Sequence, residues 1–235
     1  MKKGDFLING KSGMLDLNSW LETLPVITIP KRKKTFQIIE GSSSKAMLDE
    51  NAYDNREISL SIIVRAENEL DRTMRVSALV SAFDSPGYID FTYYYEPNFV
   101  YKITNAEIST PVRISRISYL SRVDLKLSAK AFKYYAPEVS YDVNGNLKLF
   151  NKFEYSSNPL VITSGTRLTI NGVSYDFKNP GGNITIDCDE EQQDVYNNSG
   201  VIENAFNLTQ EFPKLAPGEN SISFSGKIYP RWRTI

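Results

Sequence analysis

Histidine is absent from this 235-residue sequence. With it go the commonest general base, the commonest metal ligand and the middle member of a Ser-His-Asp triad. Cysteine occurs once, as Cys188, so no intrachain disulfide can form and stability must come from packing and hydrogen bonds. No run approaches the roughly 18 apolar residues that cross a bilayer, and Met1-Lys2-Lys3 is followed by no apolar stretch, so neither secretion nor membrane insertion is expected. Excess charge of either sign is also missing. Twenty-seven basic and 28 acidic residues give a net charge of -1, which argues against affinity won by neutralising phosphates and against sequence-specific nucleic-acid binding. No phosphate-cradling glycine loop, zinc spacing or hydrolase elbow occurs, so no cofactor and no metal are expected.

What is present is an ordinary globular composition, 41% hydrophobic and 23% charged, which should fold. In the stretch from Glu57 to Val64, Ile58, Leu60, Ile62 and Val64 fall on one face of a strand while Ser59 and Ser61 face away. Glu67 to Asp84 reads as the one convincing helix. Glu67, Glu69 and Asp71 suit its N-terminal dipole, Val76, Leu79, Val80 and Phe83 recur at helical spacing, and Ser85-Pro86-Gly87 ends it. An aromatic stretch follows, from Tyr88 through Phe91, Tyr93, Tyr94, Tyr95, Phe99 and Tyr101, broken at Glu96-Pro97-Asn98 as by a turn between strands. Val123, Leu125, Leu127 and Ala129 then alternate with Arg122, Asp124, Lys126 and Ser128, the pattern of a half-solvated antiparallel strand.

Past Lys133-Tyr134-Tyr135-Ala136-Pro137 the texture changes to short strands with frequent turns and no helical period. The reading is two domains, 1–135 and 136–235, in a mainly β chain: a β-rich first domain with a helix near 67–84, and a second that is a β-sandwich. Asn144-Gly145 and Asn171-Gly172 are the dipeptide favoured in two-residue hairpins, where positive φ is needed. The Ser-rich segment from Lys31 to Asn51 has weak periodicity and reads as a loop or long hairpin.

Four features invite a chemical reading. The acidic cluster Asp187, Asp189, Glu190, Glu191 and Asp194 has oxygens for a hard cation, but lacks the spacing of a calcium loop; Asp187 and Asp189 read instead as the solvent face of a strand. The basic run Lys31-Arg32-Lys33-Lys34 reads as a solubilising guard beside a β segment, with contact to phosphates or an acidic partner as the rival. The tyrosines, split over two strand faces, read as core or subunit interface before sugar or base stacking. Cys188 shares a face with Ile184 and Ile186 and reads as a buried, inert thiol. No catalytic, cofactor or metal residue is assigned, and the chain is not expected to be an enzyme.

The C-terminal run Phe212-Pro213-Lys214-Leu215-Ala216-Pro217-Gly218-Glu219-Asn220-Ser221-Ile222, then Gly226 and Ile228-Tyr229-Pro230-Arg231-Trp232-Arg233, resembles the signature of siphophage distal tail proteins. So does its upstream order, Leu168-Thr169-Ile170-Asn171-Gly172, then Ile184-Thr185-Ile186-Asp187-Cys188-Asp189, then Val195-Tyr196. The strand, helix and aromatic strand of the first half are similar to that family too, in its short form without inserted carbohydrate-binding modules. The resemblance implies a first domain that forms a hexameric hub ring and a galectin-like second domain. It implies a place in the virion, at the distal end of the tail, after assembly in the host cytoplasm. The implied partners are other copies of the chain, the major tail or tube protein, the tail-associated baseplate protein and, at the periphery, receptor-binding or arm proteins. A galectin-like fold raises an alternative, a carbohydrate-binding adhesion module in which Trp20, Trp232 or a tyrosine stacks on a host glycan. Sugar-binding galectins use a histidine, and this sequence has none.

Overall fold

The computed structural model describes residues 1–41, 43–114, 119–207 and 210–235, and the chain divides into two compact units, 1–133 with Ile235, and 134–234. The first unit opens with β1 (Phe6–Ile8), β2 (Lys11–Ser12), the one-turn helix α1 (Gly13–Asp16), β3 (Ser19–Leu21) and β4 (Val26–Ile27). A hairpin of β5 (Arg32–Ile38) and β6 (Lys45–Tyr53) follows, then β7 (Arg56–Arg65) and helix α2 (Glu69–Ala82). β8 (Ile89–Tyr93), β9 (Phe99–Ile108), β10 (Val112–Arg113) and β11 (Leu120–Tyr135) complete it, β11 running on past the unit's boundary.

Their antiparallel sheet has the order β2-β1-β8-β9-β11-β7-β3, with β4 also on β7 and β10 on β11. Alternation decides which side is core: Ile58, Leu60, Ile62 and Val64 of β7 and Val123, Leu125, Leu127 and Ala129 of β11 are all buried. Pairing of Val123 with Ile62 and of Leu125 with Leu60 fixes the register, since a slip by one residue would turn both rows to water. α2 lies within the predicted span. Asn68 caps it by accepting the Asp71 N–H, so the helix begins two residues after Glu67, and Phe83 closes it. Its Leu79 and Phe83 are buried, each contributing about 1.5–3 kcal/mol by leaving water.

α1 has no counterpart in the sequence reading. Buried Asp5 gathers the Ser12 hydroxyl at 2.9 Å and the Phe6 and Met14 N–H groups, while Ser12 caps the turn from its own N-terminus. A side chain at position 13 would strike the buried Phe6 ring at 2.4 Å, so glycine is what lets the turn close on β1.

The second unit contains β12 (Tyr141–Asn151), β13 (Leu160–Thr163), β14 (Arg167–Ile170), β15 (Val173–Asp176), β16 (Ile184–Asp187), β17 (Asp194–Asn197), β18 (Gly200–Val201), β19 (Gly218–Tyr229) and β20 (Arg233–Thr234). The predicted sandwich takes the form of one eight-stranded antiparallel sheet curled on itself, β15-β14-β19-β13-β16-β17-β18 with β12 along β19. The curl is made by β19. Its Ile222 and Ser223 pair with β14, while Gly226 to Tyr229 pair with β13. Between those halves Thr163 donates its hydroxyl to the Ser225 carbonyl at 2.7 Å, and Gly226 takes φ +149°. Inside lie Val143, Val161, Leu168, Ile186, Phe224 and Ile228.

Asn171-Gly172 is the two-residue turn it was expected to be, joining β14 to β15 with φ of +52° and +81°. Asn144-Gly145 is not a turn: both residues lie inside β12, opposite Ser225 and Phe224. Gly145 does adopt positive φ, +93°, but β12 stays in register with β19 on either side, so the chain continues.

Candidate assembly interface

The segment that showed no clear periodicity is the most unusual surface of the first unit. Among the described residues β5 and β6 pair only with each other, every residue of β5 is exposed, and β6 is exposed apart from Ala46, Ala52 and Tyr53. Pairing of Lys34 with Asp49, Phe36 with Met47 and Ile38 with Lys45 places these six residues on one face; Thr35, Gln37 and Leu48 lie on the other. On the first face Phe36, Ile38 and Met47 are 58%, 78% and 55% exposed. A two-stranded ribbon with no core is marginal in water, and contiguous exposed apolar side chains on it mark a surface that something covers.

The base of this hairpin is tightly held. The Arg32 Nε donates to Asp49 at 2.6 Å, while its terminal nitrogens donate to the Tyr53 hydroxyl at 3.1 Å and to the Asn51 side-chain oxygen at 3.0 Å. The Asn51 N–H and then Arg32 hold the Asp49 carboxyl below its usual range, and the Asp49 and Tyr53 hydrogen bonds push the guanidinium up. Tyr53 meets Phe132 of β11 edge-on, with ring centroids 5.5 Å apart, which joins the hairpin to the main sheet. Of the basic run, Arg32 is therefore committed internally and Lys33 lies 4.0 Å from Asp54; Lys31 and Lys34 are exposed. Ser42, between the two strands, lies outside the described residues.

Three of the seven aromatics in the stretch are core. Phe91, Tyr93 and Tyr101 are buried, and Phe91 and Tyr93 stack at 6.3 Å. Tyr101 donates to Glu96 at 2.5 Å, and Lys133 meets the same carboxylate at 2.9 Å. Burial, with Glu96 close by, pushes the Tyr93 phenol up to about 12. Tyr95, on the turn, is 70% exposed. Trp20 and Trp232 are both half-buried, Trp232 against the second core.

One reading of the acidic cluster is corrected. Asp187 is not on a solvent face: it is buried, and Arg231 closes on it at 2.6 Å, with the Asp189 N–H adding a bond at 3.0 Å. Glu190 accepts from Arg233 at 2.8 Å and from Asn158 at 3.1 Å. The two arginines flanking Trp232 thus anchor the end of the chain to the last residue of β16 and to the segment that follows it. Alternation along β16 fails to show this because Asp187 is matched by a cation 44 residues away. Asp187→Ala is expected to cost stability toward the lower end of the about 3–5 kcal/mol of a broken buried pair, since Arg231 keeps Glu138 at 3.7 Å. Urea unfolding followed by near-ultraviolet circular dichroism measures it, and an unchanged midpoint would contradict the assignment. Cys188 beside Asp187 is buried, and burial pushes its thiol well above the ordinary range. Among the described residues no group of three or more metal-ligating side chains is placed to hold an ion. No helix among them is long and apolar enough to cross a membrane.

Against this geometry stand the comparisons with known proteins. Residues 20–129 match the family model described as a phage tail protein RIFT-related domain. Three solved structures share the fold over essentially the whole chain. The Dit protein of phage SPP1, described as a paradigm of the hub adsorption apparatus in phages infecting Gram-positive bacteria, aligns over 100% of both chains with a TM-score of 0.64 and 17% identity. A chain of the phage p2 baseplate in its activated conformation with Sr aligns over 100% of this chain and 99% of its own, with a TM-score of 0.54 and 8% identity. A chain of the phage p2 baseplate with Ca aligns over 97% of each, with a TM-score of 0.52 and 8% identity. No curated protein sequence matches significantly.

Proposed function

We propose that this chain, which carries a phage tail RIFT-related domain over residues 20–129 and the Dit fold over its whole length, is a structural subunit of a phage tail tip. In this reading residues 1–135 form the ring of a hexameric hub that joins the tail tube to the receptor-binding machinery, and residues 136–235 stand as a galectin-like scaffold domain. The role is mechanical, not catalytic. The observation that carries the reading is the uncovered apolar face of the β5–β6 hairpin, which a free-standing subunit has no use for and an assembling one requires. Near-zero net charge adds little repulsion between copies brought side by side. The tube protein and a baseplate protein would meet the two faces of the ring, and receptor-binding proteins its periphery. Immunogold labelling of virions that contain the chain tests the placement. Gold confined to the distal end of the tail is the expected result; gold on the capsid or along the tube would overturn it.

A further inference from the structure

We infer that the apolar face of the β5–β6 hairpin of one subunit docks on the outward face of α2 of the next. This rests on the ring reading and adds to it which two surfaces meet. A solvated helix ordinarily turns its charges to water. α2 does the reverse. At about 100° per residue its outward face consists of Leu70, Thr73, Met74, Ser77, Ala78 and Ser81, all exposed and none charged, along about 16 Å. Leu70 and Met74 there are 72% and 63% exposed. The charged residues of the helix lie to the sides and are paired: Glu69 with Arg72 at 2.6 Å and Arg113 at 3.3 Å, and Asp71 with Arg75 at 2.8 Å.

The ends of the two surfaces match in charge. The outward strip of α2 is bounded by the exposed carboxylates Glu67 before it and Asp84 after it. The hairpin strip is bounded at one end by Lys34 and Arg32 around the single carboxylate Asp49, which leaves that end cationic, and at the other by Lys45, opposite Ile38. Cations at both ends of one strip thus meet carboxylates at both ends of the other. Both surfaces belong to one unit and both are exposed there, so neither covers the other within a subunit. Two different surfaces that complement each other make a heterologous contact, the kind that closes into a ring.

The full-length double variant Ile38→Cys, Met74→Cys tests this directly, because Cys188 is buried and supplies little background. Under mild oxidation it is expected to give a covalent ladder ending at six subunits and collapsed by dithiothreitol, with neither single variant cross-linking to itself. Rings that form without cross-links would overturn the pairing and leave the ring reading intact. Self-linking of the Ile38→Cys variant alone would replace it with a hairpin-to-hairpin contact. A monomer at every concentration would overturn both. As a second measurement, Lys34→Glu with Lys45→Glu should weaken association about tenfold, and adding Glu67→Lys with Asp84→Lys should restore it; no restoration would count against the pairing.

Discussion

A Gly226→Ala variant is expected to lose more than about 4 kcal/mol, at the far end of what a single substitution costs. Two costs combine. The φ of +149° is open to glycine and strained for any L side chain. The added Cβ would sit 2.1 Å from the Ile162 carbonyl oxygen and 3.0 Å from the Thr163 Cα, atoms of the strand to which β19 is hydrogen-bonded. No side-chain rotamer relieves that contact. Only separation of β13 from β19 would, and this is the pairing that curls the sheet over Val161, Ile186 and Ile228. Thermal unfolding should show a Tm lower by more than about 10 °C, and hydrogen exchange should show lost protection along β13 and β16. A variant within about 1 kcal/mol of the parent would mean that the strand turns its corner elsewhere.

Phe36→Asp with Met47→Asp should have the opposite profile, with subunit stability unchanged and assembly abolished. Both side chains are more than half exposed and lie outside either core cluster, so charges there cost the isolated subunit little. In an assembled ring the same carboxylates would be desolvated among apolar neighbours without a partner. A hot-spot loss of about 2 kcal/mol per residue weakens each contact roughly a thousandfold. Sedimentation velocity reads the loss of oligomer, and an unchanged Tm shows that the effect is not misfolding. Rings persisting in this variant would show that the hairpin does not carry the assembly.

These two sites differ in how far the sequence announces them. Strand β7, helix α2 and strand β11 are legible because their partners are local or their periodicity is strong: one face of Ile58 to Val64 is apolar at period two, and Val76, Leu79 and Phe83 recur at helical spacing. The β5–β6 hairpin is hard to see for the reason that makes it interesting. With no face buried in the subunit, alternation has no core to answer to, and Phe36 and Ile38 stand next to Lys33 and Lys34 without a boundary between them. Asp187 is misread because its environment is made by Arg231, far along the chain, and not by its neighbours in β16. The short helix α1 has a local signal, Ser12 followed by Asp16, whose carboxylate accepts the Ser12 N–H at 2.7 Å. That spacing is one residue longer than the usual capping box. Gly226 reads from sequence as one glycine of a C-terminal motif, and only the partner change along β19 shows what it is for.

The proposed hub requires the chain to sit beside copies of itself around an axis. Solution mass by light scattering, with class averages of the same sample by negative-stain electron microscopy, measures it most directly. Near its assembling concentration the account predicts a mass six times the 26.6 kDa subunit and rings with six-fold symmetry. A particle of two-fold symmetry, or a monomer that stays monomeric when concentrated and when mixed with tail tubes, would contradict it.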